Sequence, residues 1–168
     1  MMSLAELNAA SREHFVASLA GIYEHSPWVA EAVVDKRPFA DLDALTAAMA
    51  AAVAQADPAQ QLELIRAHPQ LAGKLAIAGE LTEASRREQQ GAGLDRCSPQ
   101  EFAELSRLNA AYQDRFGFPY ILAVAGHTRS SILANLAQRV ESTPATEYAE
   151  ALRQIDRIAG LRLAALLA

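Results

Sequence analysis

Alanine and leucine carry most of the apolar positions along the chain, and β-branched runs are scarce. Where a stripe is clear it recurs every three or four residues, as in Leu152, Ile155 and Ala159 near the C-terminus. Helix starts are well marked. Asp57 is a candidate N-cap followed by Pro58 in the first helical position, where a missing N–H costs nothing. Ser98, Pro99 and Glu101 spell a capping box, and Gly117 closes that helix. Thr143 and Pro144 repeat the opening for a last long helix. Further helices are predicted around residues 4 to 24, 27 to 34, 41 to 56, 82 to 91 and 128 to 141. Only "PYILAVAG" reads as a strand, and one strand alone makes no sheet. The expectation is an all-α, compact single-domain helical bundle of about seven to nine helices spanning residues 1–168, without repeats or linkers.

Composition adds little to that picture and removes several functions from it. The 168 residues are 51% hydrophobic and 21% charged, as in an ordinary globular domain. A net charge of −5 and the lack of a basic stripe argue against nucleic acid as a partner. No uncharged apolar stretch approaches the length that spans a bilayer, so no membrane partner is expected. The single cysteine, Cys97, fits a reducing compartment. The first residues lack the layout of a signal peptide and the last three are not a peroxisomal address. The expected location is the cytoplasm.

Three polar residues fall on faces that should be apolar. In "LELIRAHPQLAGK", His68 continues the face of Leu64 and Ile65, and Pro69 disfavours helical dihedrals at His68, so the ring sits where the chain leaves the helix. The helix C-terminus favours an imidazolium and burial opposes it, which together hold the ring near neutrality, where proton transfer works best. A core histidine bonded to a backbone carbonyl is the plainer reading. Glu88 lies with Ala84 and Ala92 on a face of small residues, with Ser85 adjoining. Either it faces a ligand, or Ser85 caps a short helix and Glu88 closes the box. Arg162 interrupts the apolar stripe of the last helix, opposite Glu150, Arg153 and Arg157. A buried guanidinium requires a partner, either an internal carboxylate or an anionic substrate gripped by its planar fork.

A histidine, a carboxylate and an arginine suit proton transfer on a small anion. No nucleophile has an obvious base beside it. Lys36 and Lys74 lie in no pyridoxal-phosphate context, and "GKLAIAGE" lacks the order of a phosphate loop. His14, His25, His68 and His127 have no paired-ligand spacing, so no metal is expected. The residues point to an enzyme without a cofactor.

Taken in order, "AHPQLAGKLA", "LTEASRREQQGAGLD", "LNAAYQDRFGFPYILAVAG" and "ALRQIDRIAGLRL" resemble the successive signatures of the decarboxylases that act on 2-oxo-4-hydroxy-4-carboxy-5-ureidoimidazoline (OHCU). The upstream "YEHSPWVAEAV" and "KRPFADLDAL" are similar to the N-terminal half of that family, so the resemblance covers nearly the whole chain. It implies a cofactor-independent carbon–carbon lyase of urate degradation, releasing (S)-allantoin and carbon dioxide. It implies His68 as the catalytic histidine with Glu88 as its acidic partner, and substrate contacts from Pro69, Ser85, Gln89 and Arg162. Main-chain groups of Ile121, Leu122 and Ala123 are implied to hold the ring. A homodimer and a functional coupling to hydroxyisourate hydrolase complete the expectation. Two rivals stand beside it: a non-catalytic module that binds a ureide or regulates a partner, and a structural scaffold in which Arg162 only pairs with an internal carboxylate.

Overall fold

The structure, a computed structural model, describes residues 2–73 and 79–167. Among them are nine α-helices, as the apolar spacing predicts, and no strand. In chain order these are α1 (Leu4–Ala9), α2 (Arg12–Leu19), α3 (Trp28–Val33), α4 (Leu42–Ala54), α5 (Pro58–Ala67), α6 (Glu83–Gly91), α7 (Pro99–Phe116), α8 (Arg129–Val140) and α9 (Pro144–Leu166). Lys74 and most of "GKLAIAGE" lie outside the described residues.

The chain divides into two compact units. One comprises Met1–Ala67 with Ile155–Ala168, the other His68–Gln154. In the first, the helix predicted over 4 to 24 is two helices. Ala10 turns extended (ψ 157°), and the Ser11 side chain accepts the His14 N–H to start α2. The competing side-chain cap decides the break, since the apolar spacing alone runs through it. Arg37 donates to the carbonyls of Asn8 and Ala10, supplying partners that the end of α1 lacks. The core of this unit is built from Leu7, Phe15, Leu19, Val29, Val33, Leu45, Met49, Val53, Leu64 and Ile65, with Ile155, Ala159 and Leu163 from the end of α9.

Asp156, on that part of α9, accepts the Tyr23 hydroxyl at 2.8 Å. Burial raises its carboxyl above the ordinary 3.8, against the smaller lowering effect of the tyrosine bond. Below that ordinary value the group is protonated in both states. Above it the unfolded chain releases the proton first, so stability falls as pH climbs from about 3.8 through the raised folded value. Asp156→Asn keeps an oxygen for Tyr23 and removes the charge. Thermal melts are expected to give a higher Tm for this variant at pH 7 and a nearly unchanged one at pH 3.

The second unit holds α6, α7, α8 and the first turns of α9. Its helix starts follow the sequence closely. Ser98 and Glu101 form the capping box of α7 and Gly117 closes it at φ 77°. The Thr143 hydroxyl accepts the Thr146 N–H at the head of α9. "PYILAVAG" forms no paired strand with any described segment. Residues 118–124 are seven consecutive buried residues in no regular element. Their apolar character reflects burial, which periodicity over so short a run does not separate from strand.

Candidate active site

Helix α5 ends at Ala67, and His68 is the first residue beyond it, as Pro69 dictates. The histidine is 6% exposed and its Nε2 is sealed from solvent. Two side-chain amides of the same unit dock the loop that follows. Gln89 Oε1 accepts the Ala72 N–H at 2.9 Å, and Asn109 Nδ2 donates to the Leu71 carbonyl at 3.0 Å. Ala72 stands at φ 50°, a conformation unfavourable for a side chain with a Cβ, and the Gln89 bond helps hold it there.

Helix α6 carries the other predicted residues. Thr82, not Ser85, is its N-cap: the Thr82 hydroxyl accepts the Ser85 N–H at 3.2 Å. The capping role that competed for Ser85 and Glu88 is therefore filled one turn earlier. Ser85 and Gln89, four residues apart, are buried, while Glu88 is half-buried between them and solvent. Arg86 and Arg87 are exposed and drawn to Glu83 at 2.7 and 3.0 Å. A cavity of about 520 Å³ lies against this helix. Its lining among the described residues includes Ala72, Gln89, Leu94, Cys97 and Phe102, and not His68, Ser85 or Glu88. Burial and Glu101 push the Cys97 thiol up, away from thiolate reactivity.

The third predicted element is the buried segment 118–124. Backbone groups buried outside helix or sheet must find side-chain partners. Arg139 Nη1 donates to the Ile121 carbonyl, and Gln154 Oε1 accepts the Ala123 N–H at 3.0 Å. Arg139 itself is paired with Glu147 at 2.7 Å, and Tyr112 donates to the same Glu147 oxygen at 2.7 Å. The guanidinium lies 4.7 Å from the Tyr120 ring centre. Burial raises both tyrosines well above the ordinary phenol range, so both remain protonated donors. Sequence reasoning missed Arg139. The signal was there, since it follows Ile132 and Leu136 on one face of α8 as Arg162 follows Ile155 and Ala159 on α9.

Arg162 belongs to the first unit. Its Nη1 meets Glu24 Oε2 at 2.8 Å and the Gly21 carbonyl at 3.0 Å, with both side chains of the ion pair below 10% exposure. The internal carboxylate of the structural alternative thus exists. Among the described residues no group of three or more His, Cys, Asp or Glu side chains could hold a metal ion. No described helix is long and apolar enough to cross a membrane.

The OHCU decarboxylase family model matches residues 8–164. A 2-oxo-4-hydroxy-4-carboxy-5-ureidoimidazoline decarboxylase of Haloferax volcanii is 41% identical over 97% of this chain and 95% of its own length. The uric acid degradation bifunctional protein of Bacillus subtilis is 43% identical over 98% of this chain, which spans 32% of that longer protein. A crystal structure of (S)-allantoin synthase superposes with a TM-score of 0.79 at 35% identity, covering 99% of this chain and 54% of that one. A match of this length, in the order that the His-Pro, Ser-x-x-Glu-Gln and Phe-Gly-Phe-Pro elements require, leaves one assignment: the chain belongs to the OHCU decarboxylase family.

Proposed function

We propose that this protein decarboxylates 2-oxo-4-hydroxy-4-carboxy-5-ureidoimidazoline to (S)-allantoin and carbon dioxide in urate degradation. The observation that carries the reading is a buried histidine at the mouth of a helix, in a loop fixed to the helix of Ser85, Glu88 and Gln89. The scissile bond joins the carboxylate to a ring carbon bearing a hydroxyl. When it breaks, its electron pair enters the ring, where the neighbouring C=N and carbonyl groups accept it. The ureido-bearing carbon then takes up a proton and becomes the stereocentre of allantoin. Carboxylate and one proton go to carbon dioxide and allantoin, so no redox partner or electron sink beyond the substrate is required. The enzyme's task is orientation, support of developing charge and delivery of a proton to one face.

In this reading His68 and Glu88 engage the hydroxyl and the adjoining ring atoms, with His68 the proton donor. Pro69, Ser85 and Gln89 contact the substrate from the loop and α6. The main chain of Ile121, Leu122 and Ala123 meets the ring edge, and Arg162 holds a polar edge of the substrate. We place the chain in the cytoplasm, where its one cysteine stays reduced, and as a homodimer. The Bacillus subtilis relative is named a bifunctional protein of uric acid degradation, and a functional coupling of this chain to hydroxyisourate hydrolase, the supplier of the labile substrate, belongs to the same reading. Protein dialysed against a chelator is expected to release one carbon dioxide per substrate consumed at the rate of untreated protein. Loss of that rate, restored by a metal ion, would defeat the cofactor-free mechanism.

A further inference from the structure

The groups that fix segment 118–124 use its backbone selectively. In a trans peptide unit the C=O and the N–H point in opposite directions, so a partner bound to one leaves the other facing away from it. Arg139 takes the Ile121 carbonyl, which shares a peptide unit with the Leu122 N–H, and Gln154 takes the Ala123 N–H, which shares one with the Leu122 carbonyl. The residue left between them is Leu122, 5% exposed, whose N–H makes no hydrogen bond among the described residues. Both clamping side chains are themselves anchored. Arg139 is held by Glu147, which also receives Tyr112, and Gln154 Nε2 donates to Glu150 at 2.8 Å.

We propose that Arg139 and Gln154 are positioning residues that lock the Leu122 N–H and carbonyl into register as a donor–acceptor pair for the amide edge of a ureidoimidazoline. The inference rests on the reading above in which this main chain holds the ring. A planar N–H and C=O side by side on a small heterocycle match one residue's N–H and C=O, and a fixed backbone offers them without the entropy cost of a side chain. Neither Arg139 nor Gln154 touches the reacting atoms. Their effect passes through Leu122.

The test uses Gln154→Met, which removes the acceptor of the Ala123 N–H at similar volume, and Arg139→Lys, which keeps a cation for Glu147 but loses the fork. Amide resonances of ¹⁵N-labelled protein are followed during titration with (S)-allantoin, beside steady-state kinetics and thermal melts. The wild-type Leu122 amide is expected to shift on binding. In each variant that remains folded, the KM and the allantoin Kd are expected to rise together by tenfold or more, with kcat changed less. Folded variants with wild-type KM and Kd, and activity reduced only in step with the folded fraction, would make the two residues structural and overturn the proposal. If wild-type protein binds allantoin without any shift at Leu122, the underlying reading of the main chain fails instead, and the positioning proposal with it.

Discussion

Asparagine in place of His68 is expected to lower turnover by about two to four orders of magnitude, the usual contribution of a positioned acid–base group. The site explains why the fold should survive. His68 lies beyond the last residue of α5, so no intrahelical packing register depends on the ring, and Pro69 still ends the helix. Asparagine keeps a polar head in the buried position, limiting the destabilisation to about 1 kcal/mol, as for an ordinary point change. Single-turnover measurements on protein with a native melting profile separate this outcome from misfolding. Wild-type turnover in His68→Asn would remove the ring from the chemistry and return it to the plain role of a core histidine.

The second large effect concerns Arg162 and Glu24. Either methionine substitution alone leaves one charge buried without its counter-ion, at an expected cost of about 3–5 kcal/mol in denaturant unfolding. The double variant Glu24→Met/Arg162→Met removes both charges and should recover most of that loss, because a packed apolar pair often equals a buried ion pair. Activity then discriminates between the two roles of the arginine. If Arg162 grips the substrate, the recovered double variant stays impaired, with a KM raised at least tenfold. If Arg162 only neutralises Glu24, the double variant regains wild-type KM along with its stability. The proposed function predicts the first result, and the second would remove Arg162 from the site.

These two residues also mark where the sequence was legible and where it was not. That Arg162 sits on an inner face follows from three- and four-residue spacing, a local property. That its partner is Glu24 does not, because the two are 138 positions apart and nothing in "YEHSPW" distinguishes a buried glutamate. Helix starts at Ser98 and Thr143 were readable because a cap is chemistry within four residues. The break between α1 and α2 was not, since Ser11 offers a cap inside an unbroken apolar spacing. Whether Ser85 caps α6 stayed open for a similar reason. Thr82 and Ser85 both qualify by type, and only the bond from the Ser85 N–H to Thr82 decides.

Segment 118–124 is the sharpest case. Its apolar run signalled burial correctly and strand pairing wrongly, because two of its backbone groups are taken by Arg139 and Gln154, side chains from α8 and α9. Arg139 was overlooked although the spacing argument used for Arg162 applies to it unchanged. His68 and Ser85 stood out through local context and Gln89 through the family resemblance, and the structure buries all three. The docking of their loop and helix through Ala72 and Gln89 required the folded chain.

The central claim, stereospecific decarboxylation, is tested most directly by circular dichroism of allantoin formed from urate, with urate oxidase and hydroxyisourate hydrolase generating the labile substrate in situ. With this protein present, the account predicts a rapid signal of the sign of (S)-allantoin, because one face of the ring receives the proton. A folded protein whose trace matches the protein-free control, where spontaneous decay gives a racemate, would contradict it and bring the ureide-binding alternative forward.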